Sequence, residues 1–311
     1  MTAKAISLAW VMFQVTSLDV MRQFMTDFGL TPVEYPDNPQ LLLLRGSGDT
    51  PVIHISRLGS ENLFLGLAIN VSSLADLEAL SHEPGASAVE PCPFPGGGQQ
   101  VRLQTPDGIA VTALWGVEPA PALPLRDTHL FNNASNKPRV NASVRARASV
   151  TPVIALGHCV LRVSSCEVSS QWFRRNFGMV VSDYISTSDQ RPIGAFMRFD
   201  LGETLVDHHS LLINESGKVG LHHCGFEVQD LDSVYEAHEY LMEKGYELEC
   251  GVGRHLLGSQ IYDYWRDPFG NRVEHYTDGD MVNHHHKLTC FTGSGDETTQ
   301  WGMKVPPSFF L

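Results

Sequence analysis

Residues 257–280, LGSQIYDYWRDPFGNRVEHYTDGD, carry the pattern from which the rest of the chain can be read. An alternating strand through Ile261 to Arg266 leads into a turn at Asp267-Pro268-Phe269-Gly270. A second strand follows, in which one acid, Glu274, stands among β-formers. A lone strand acid is ordinarily a solvated edge residue, so its meaning depends on what the other strands offer.

Two other strands offer histidine. In ALGHCVLRV, residues 155–163, the apolar Cys159, Leu161 and Val163 share one face, which puts His158 on the other. In GLHHCGFEV, residues 220–228, Cys224, Phe226 and Val228 pack together and leave His223, Gly225 and Glu227 opposite. Val273 plays the packing part beside Glu274. Three candidate metal ligands therefore lie on faces that the packing residues do not use. Two imidazoles and one carboxylate are the donors with which a mononuclear non-haem iron(II) oxygenase holds its metal on one face, leaving the opposite positions open. Alternation also lets only one of two adjacent histidines face a cavity, so His222 is expected to point away. The pair His208-His209 poses the same choice.

The chain repeats itself. Residues 7–29, SLAWVMFQVTSLDVMRQFMTDFG, line up with residues 155–178, ALGHCVLRVSSCEVSSQWFRRNFG, as an alternating strand, a Ser-started amphipathic helix and a Gly stop. Residues 65–80 match 222–237, and TPDGIAVTAL, from Thr105, matches DPFGNRVEHY, from Asp267. The expected fold is α+β, with four βαβββ units in two tandem domains. Their spans are 1–116 for a metal-free first pair and 150–282 for a metal-binding second pair, joined by a Pro-rich connector at 117–149. An irregular tail, 283–311, is expected to be pinned by Trp301, Phe309 and Phe310 onto the body or onto a neighbouring subunit. In this alignment Trp10 stands where His158 does, Gly66 where His223 does and Thr112 where Glu274 does. All three candidate ligands are missing together from the first half, as expected if they serve a metal that only the second half binds.

At 311 residues the chain is long enough for two domains, each with its own core. A net charge of −13 argues against nucleic acid or an anionic membrane as partner, since both require a basic patch. With no run of about 18 apolar residues and no signal-peptide pattern, a cytoplasmic protein is predicted. Six cysteines without a CxxC pair are expected to be buried thiols. His284 to His286 are expected at the surface.

The repeated units, with His158, His223 and Glu274 in the second half only, resemble the type I extradiol ring-cleaving dioxygenases of the vicinal oxygen chelate superfamily. Residues 253–280 carry the most specific part: Gly253-Arg254-His255, Tyr264, Asp267-Pro268, Gly270 and Arg272-Val273-Glu274 follow the family's closing signature. The Trp and Pro-rich tail is most similar to the branch containing homoprotocatechuate 2,3-dioxygenase. The resemblance implies Fe(II) held by His158, His223 and Glu274, with Mn(II) the alternative because both accept the same triad. It implies a catechol and O2 as substrates, aromatic-compound catabolism, and a homo-oligomer, a tetramer in that branch.

The resemblance also implies roles for other residues. His209 would accept a catechol proton and return one as the O–O bond breaks, work suited to a side chain with an unperturbed pKa of about 6.5. His208 would then be its outward, structural neighbour. Tyr264, ten residues before Glu274 and so on the same face if no bulge intervenes, would hydrogen-bond a catecholate oxygen, and His255 would donate to the substrate. The branch places an arginine five residues before the histidine of its Gly-Arg-His motif to grip a substrate carboxylate, whereas this chain has Cys250 there. With Phe196, Leu256 and Leu257, Cys250 would line an apolar substrate pocket, which implies a catechol with an uncharged substituent. Two other classes use the same fold: glyoxalase-like metal isomerases, and metal-free small-molecule binders that would have no reason to keep the three ligands together.

Overall fold

A computed structural model describes residues 2–293 and 295–310. The first half contains β1 (Ala5–Val15), α1 (Leu18–Asp27), β2 (Thr31–Val33), β3 (Leu41–Arg45), β4 (His54–Leu58), β5 (Leu63–Val71), α2 (Leu74–Leu80), β6 (Glu90–Pro91), β7 (Gln99–Gln104) and β8 (Ala110–Trp115). Its strands form one sheet in the order β2-β3-β4-β1-β5-β8-β7-β6, two βαβββ units joined along the antiparallel pair of β1 and β5. Residues 117–149 form no helix or strand among the described residues. They are tied down chiefly by Arg126, whose guanidinium grips Asp230 at 2.7 and 2.9 Å.

The second half repeats the plan with β9 (Ala155–Val163), α3 (Cys166–Phe177), β10 (Val180–Ser186), β11 (Pro192–Arg198), β12 (Val206–Asp207), β13 (Leu211–Glu215), β14 (Gly220–Glu227), α4 (Leu231–Glu243), β15 (Glu247–His255), β16 (Ile261–Arg266) and β17 (Arg272–Thr277). Then come β18 (Met281–Val282), β19 (Thr289–Phe291) and β20 (Thr299–Gly302). The sheet order is β19-β10-β11-β13-β9-β14-β17-β16-β15-β20, with β12 and β18 paired separately. The fold is a mixed α/β tandem of strand-helix-strands units, as the repeat predicts. Register agrees with the repeat, since Thr112 pairs with Ala68 where Glu274 pairs with Gly225. Each of the four α-helices among the described residues begins at a side-chain cap, Ser17, Ser73, Ser165 or Asp230, that accepts a backbone N–H.

Three expectations need correction. The tail is not irregular: β19 and β20 close the two edges of the second sheet, because an edge strand's unpaired backbone groups recruit a partner whatever its side chains. Phe309 is buried, whereas the Phe310 side chain lies outside the described residues. Cys290 is exposed, unlike the other five thiols. And the halves do not keep separate cores, because a single apolar cluster runs from Phe13 and Phe28 to Phe173 and Phe226.

That shared core positions the site. The Phe28 ring stacks on His275 at 3.7 Å, and His275 Nε2 donates to the Phe28 carbonyl at 2.7 Å. In a strand, neighbours point oppositely. Fixing His275 onto the first half therefore aims Glu274 into the second. No helix among the described residues is long and apolar enough to cross a membrane.

Candidate metal centre and cavity

His158 on β9, His223 on β14 and Glu274 on β17 come from three adjacent strands, and their ligand atoms all lie within 4.8 Å of one another. His158 Nε2 is 2.8 Å and His223 Nε2 3.4 Å from the same oxygen, Glu274 Oε2. Gly225 is the cross-strand neighbour of both His158 and Glu274, and its missing side chain is the space the His158 ring occupies. Burial raises the Glu274 pKa, but His158 and His223 outweigh it and hold the carboxyl below the usual carboxylate range. Burial pushes His223 down to about 4, which leaves its imidazole neutral.

These residues suit a divalent cation. Glu274 is fully buried, and its Oε1 has no hydrogen-bond partner among the described residues. A buried carboxylate with a bare oxygen is costly, several kcal/mol per uncompensated ion. A metal facing the two imidazoles and that carboxylate removes the cost and uses all three donors.

Around this group lies a cavity of about 220 Å³. Tyr264 stands directly across from Glu274 in an unbroken β16–β17 register, and its hydroxyl is 2.7 Å from His255 Nε2. Burial pushes the Tyr264 pKa well above its ordinary value, so the phenol stays a donor. His209 packs 5.0 Å from the His158 ring and 4.9 Å from Phe196. Burial, then the neighbouring His158 and His208, hold its pKa well below the ordinary value. Phe196 and Leu257 line the cavity as expected. Cys250 and Leu256 do not. Register shifts on either side of Cys250 leave it facing Tyr262, Val305 and Phe309 in a separate cluster, and Leu256 is 40% exposed.

The expected outward histidines also differ. A bulge between Leu221 and His223 suspends alternation, so His222 is buried, lines the same cavity, and places its Nδ1 2.6 Å from that of His223. His208 is buried too, because residues 208–210 leave strand geometry and parity no longer applies. Sequence reasoning missed the far wall of the cavity: Ile185 and Ile193 from β10 and β11, and Phe291 and Phe309 from the tail. Alternation within β10 and β11 marks a buried face but not which cavity it meets. Among the described residues no Lys, Arg, Asp or Glu lines this cavity. Another cavity, about 250 Å³ against Trp10 and Phe94 in the first half, contains no group of three possible ligands among the described residues.

The family description "Glyoxalase/Bleomycin resistance protein/Dioxygenase superfamily" matches residues 155–275, the span that brings His158, His223 and Glu274 together. Residues 155–275 are a domain of this superfamily. Along nearly the whole chain, a relative named metapyrocatechase 2 from Cupriavidus necator is 26% identical over 298 residues, 95% of this chain and 88% of its own. Two solved structures share the fold along nearly the whole chain. The Mn(II)-bound glyoxalase from Novosphingobium aromaticivorans has a TM-score of 0.82 at 22% identity, covering 99% of this chain and 95% of that one. Homoprotocatechuate 2,3-dioxygenase from Arthrobacter globiformis gives 0.81 at 20%, covering 100% and 92%.

Two further groups could in principle bind metal. Glu203, His284 and His285 are exposed, as expected of a surface cluster. Asp183, His208 and His286 are more buried and adjoin the cavity through His209.

Proposed function

We propose that the protein is an extradiol ring-cleaving dioxygenase that opens a catechol with O2, using Fe(II) held by His158, His223 and Glu274. The observation that carries this reading is the convergence of those three side chains, two of which, His158 and His223, line a cavity together with His209, His255, Tyr264 and apolar residues. The relative named metapyrocatechase supports it. When bound, Fe(II) would supply the positive charge that a catecholate chelates and the redox path between ring and O2. Mn(II) fits the same donors.

The chain's own residues supply the rest. Tyr264, oriented by its 2.7 Å bond with His255, hydrogen-bonds one catecholate oxygen. His209, neutral through burial, takes the proton of a catechol hydroxyl and gives it back as the ring opens. The apolar wall excludes water and receives the ring substituent. With no Lys or Arg on that wall among the described residues, a substrate carboxylate would be buried without a fixed counter-charge, so the substituent is uncharged. Each methylene it buries adds about 0.8 kcal/mol of binding.

A glyoxalase-like isomerase remains the alternative, with the Mn(II)-bound glyoxalase as a neighbour in fold. Against it stand the single carboxylate of this donor group and the presence of His209 and Tyr264 beside the cavity. An oxygen electrode decides between them: freshly iron-loaded protein under reducing conditions, given a panel of catechols, should consume O2 and form yellow ring-opened products. Iron-replete protein that leaves every catechol and the O2 untouched overturns the proposal.

A further inference from the structure

Behind His209, away from the cavity, two groups stand in line. His208 Nδ1 is 3.2 Å from His209 Nδ1, and His208 Nε2 is 2.8 Å from Asp183 Oδ2. We propose that Asp183 and His208 are positioning residues that hold His209 in the tautomer bearing its hydrogen on Nδ1, with the Nε2 lone pair free for a substrate proton. This rests on the reading of His209 as the proton-transfer residue.

With His208 neutral, donor and acceptor counting sets the tautomer. An ionised carboxylate only accepts, so His208 Nε2 carries the hydrogen given to Asp183. In a neutral ring the other nitrogen, Nδ1, is then an acceptor, and the contact at 3.2 Å is satisfied only if His209 Nδ1 is the donor. One nitrogen of His209 is left without a hydrogen, Nε2. A charged His208 would reverse the order and place the hydrogen on Nε2, making His209 unable to act as a base.

The surroundings hold the line in place. Asp183 Oδ1 accepts from the Thr289 backbone N–H at 2.7 Å and from its hydroxyl at 2.6 Å. Burial alone would raise the Asp183 pKa, but the bonds from His208 and Thr289 keep it below the ordinary value. The His208 backbone is clamped by its N–H to the Asp280 carbonyl at 2.8 Å and by the Ser182 hydroxyl on its own carbonyl at 2.6 Å. Gly258, at φ +79°, covers the pair so closely that a Cβ there would come within 3.1 Å of His208 Nδ1. His286 is the other titratable neighbour, with Nε2 3.9 Å from Asp183 Oδ1. Both nitrogens of His208 are thus already engaged without a metal in the Asp183–His208–His286 group.

Two measurements test the proposal. In full-length protein labelled with 15N-histidine and loaded with diamagnetic Zn(II), the His209 signals are assigned by their loss in His209→Phe. The expected result is a protonated Nδ1 and a bare Nε2; a protonated Nε2 in the unaltered protein overturns the relay, and this readout needs no Asp183 variant to fold. The second is a double-mutant cycle on iron-loaded enzyme. Asp183→Asn should lower kcat roughly 10- to 100-fold, the scale seen for outer-shell partners of functional imidazoles, with KM and iron content unchanged. In a His209→Phe background it should lower kcat no further. Equal losses in both backgrounds, or loss of iron, would mark Asp183 as merely structural. If His209→Phe itself leaves turnover intact, the proton-transfer reading has failed, while the tautomer measurement still judges the relay on its own.

Discussion

Gly225→Ala should empty the metal centre while leaving the fold standing. An alanine Cβ at 225 would lie 2.2 Å from Cε1 and 2.5 Å from Nε2 of His158, where ordinary contact begins at 3.4 Å. The shortfall, 3.4 less 2.2, requires the ring to retreat by about 1.2 Å. The ring has nowhere easy to go, with His209 and Tyr276 each 5.0 Å away and His223 at 5.4 Å. Ligand distances tolerate about 0.2 Å, so such a retreat takes His158 out of the coordination shell. A displacement of about 1 Å in a catalytic group costs on the order of 10²-fold, and losing one of three ligands costs more. Gly225 is not in the left-handed region, so its backbone accepts alanine, and the cost falls on packing, about 1–3 kcal/mol, which leaves the variant folded but less stable than the unaltered protein. Iron per chain, measured by metal analysis after anaerobic loading and desalting, should fall to near zero alongside turnover. A variant that keeps its full iron and its activity would refute the placement of His158 over Gly225.

Other outcomes follow from the same contacts. Asp230 caps α4 and binds Arg126; burial opposes its charge, but these partners push its pKa down to about 2. A depressed pKa contributes stability above the unfolded value, near 4, that disappears as pH falls toward 2. Asp230→Ala should therefore cost about 1 kcal/mol or more at neutral pH and progressively less as pH falls from 4 through 2. Denaturant melts across that range check it, and a pH-independent cost would count against the ionic bond. As to substrate, 4-methylcatechol should give a higher kcat/KM than homoprotocatechuate, because among the described residues no Lys or Arg lines the cavity to pair with a carboxylate. A clear preference for the acid would show that a cation reaches the cavity.

Much of this was legible in the sequence because strands alternate. His158, His223 and Glu274 could be assigned to one side from the apolar residues between them, and the even spacing of Tyr264 and Glu274 survives in an unbroken register. Where alternation is suspended the reasoning fails with it. The bulge before His223 turns His222 inward, the irregular backbone at 208–210 buries His208 beside His209, and the register shifts around Cys250 remove it from the cavity wall. Phe309 was expected to hold the tail to the body, but its place on the cavity wall depends on β20 pairing through backbone groups that leave no pattern of side chains. The merged core was hidden for a similar reason. A sequence shows that Phe28 and Phe226 are apolar, but not that they meet each other across the two halves at 5.8 Å.

The most direct test compares the unaltered protein with Glu274→Gln. Both are loaded with Fe(II) without oxygen, desalted, analysed for iron, and then given 4-methylcatechol and air while ring-opened product is followed by its yellow absorbance. The unaltered protein should hold one iron per chain and turn yellow; Glu274→Gln, which has lost the only anionic donor of the three, should hold almost none and stay colourless at an unchanged fold. Full iron and full product formation in Glu274→Gln, or an iron-replete unaltered protein that forms no product, would contradict the account.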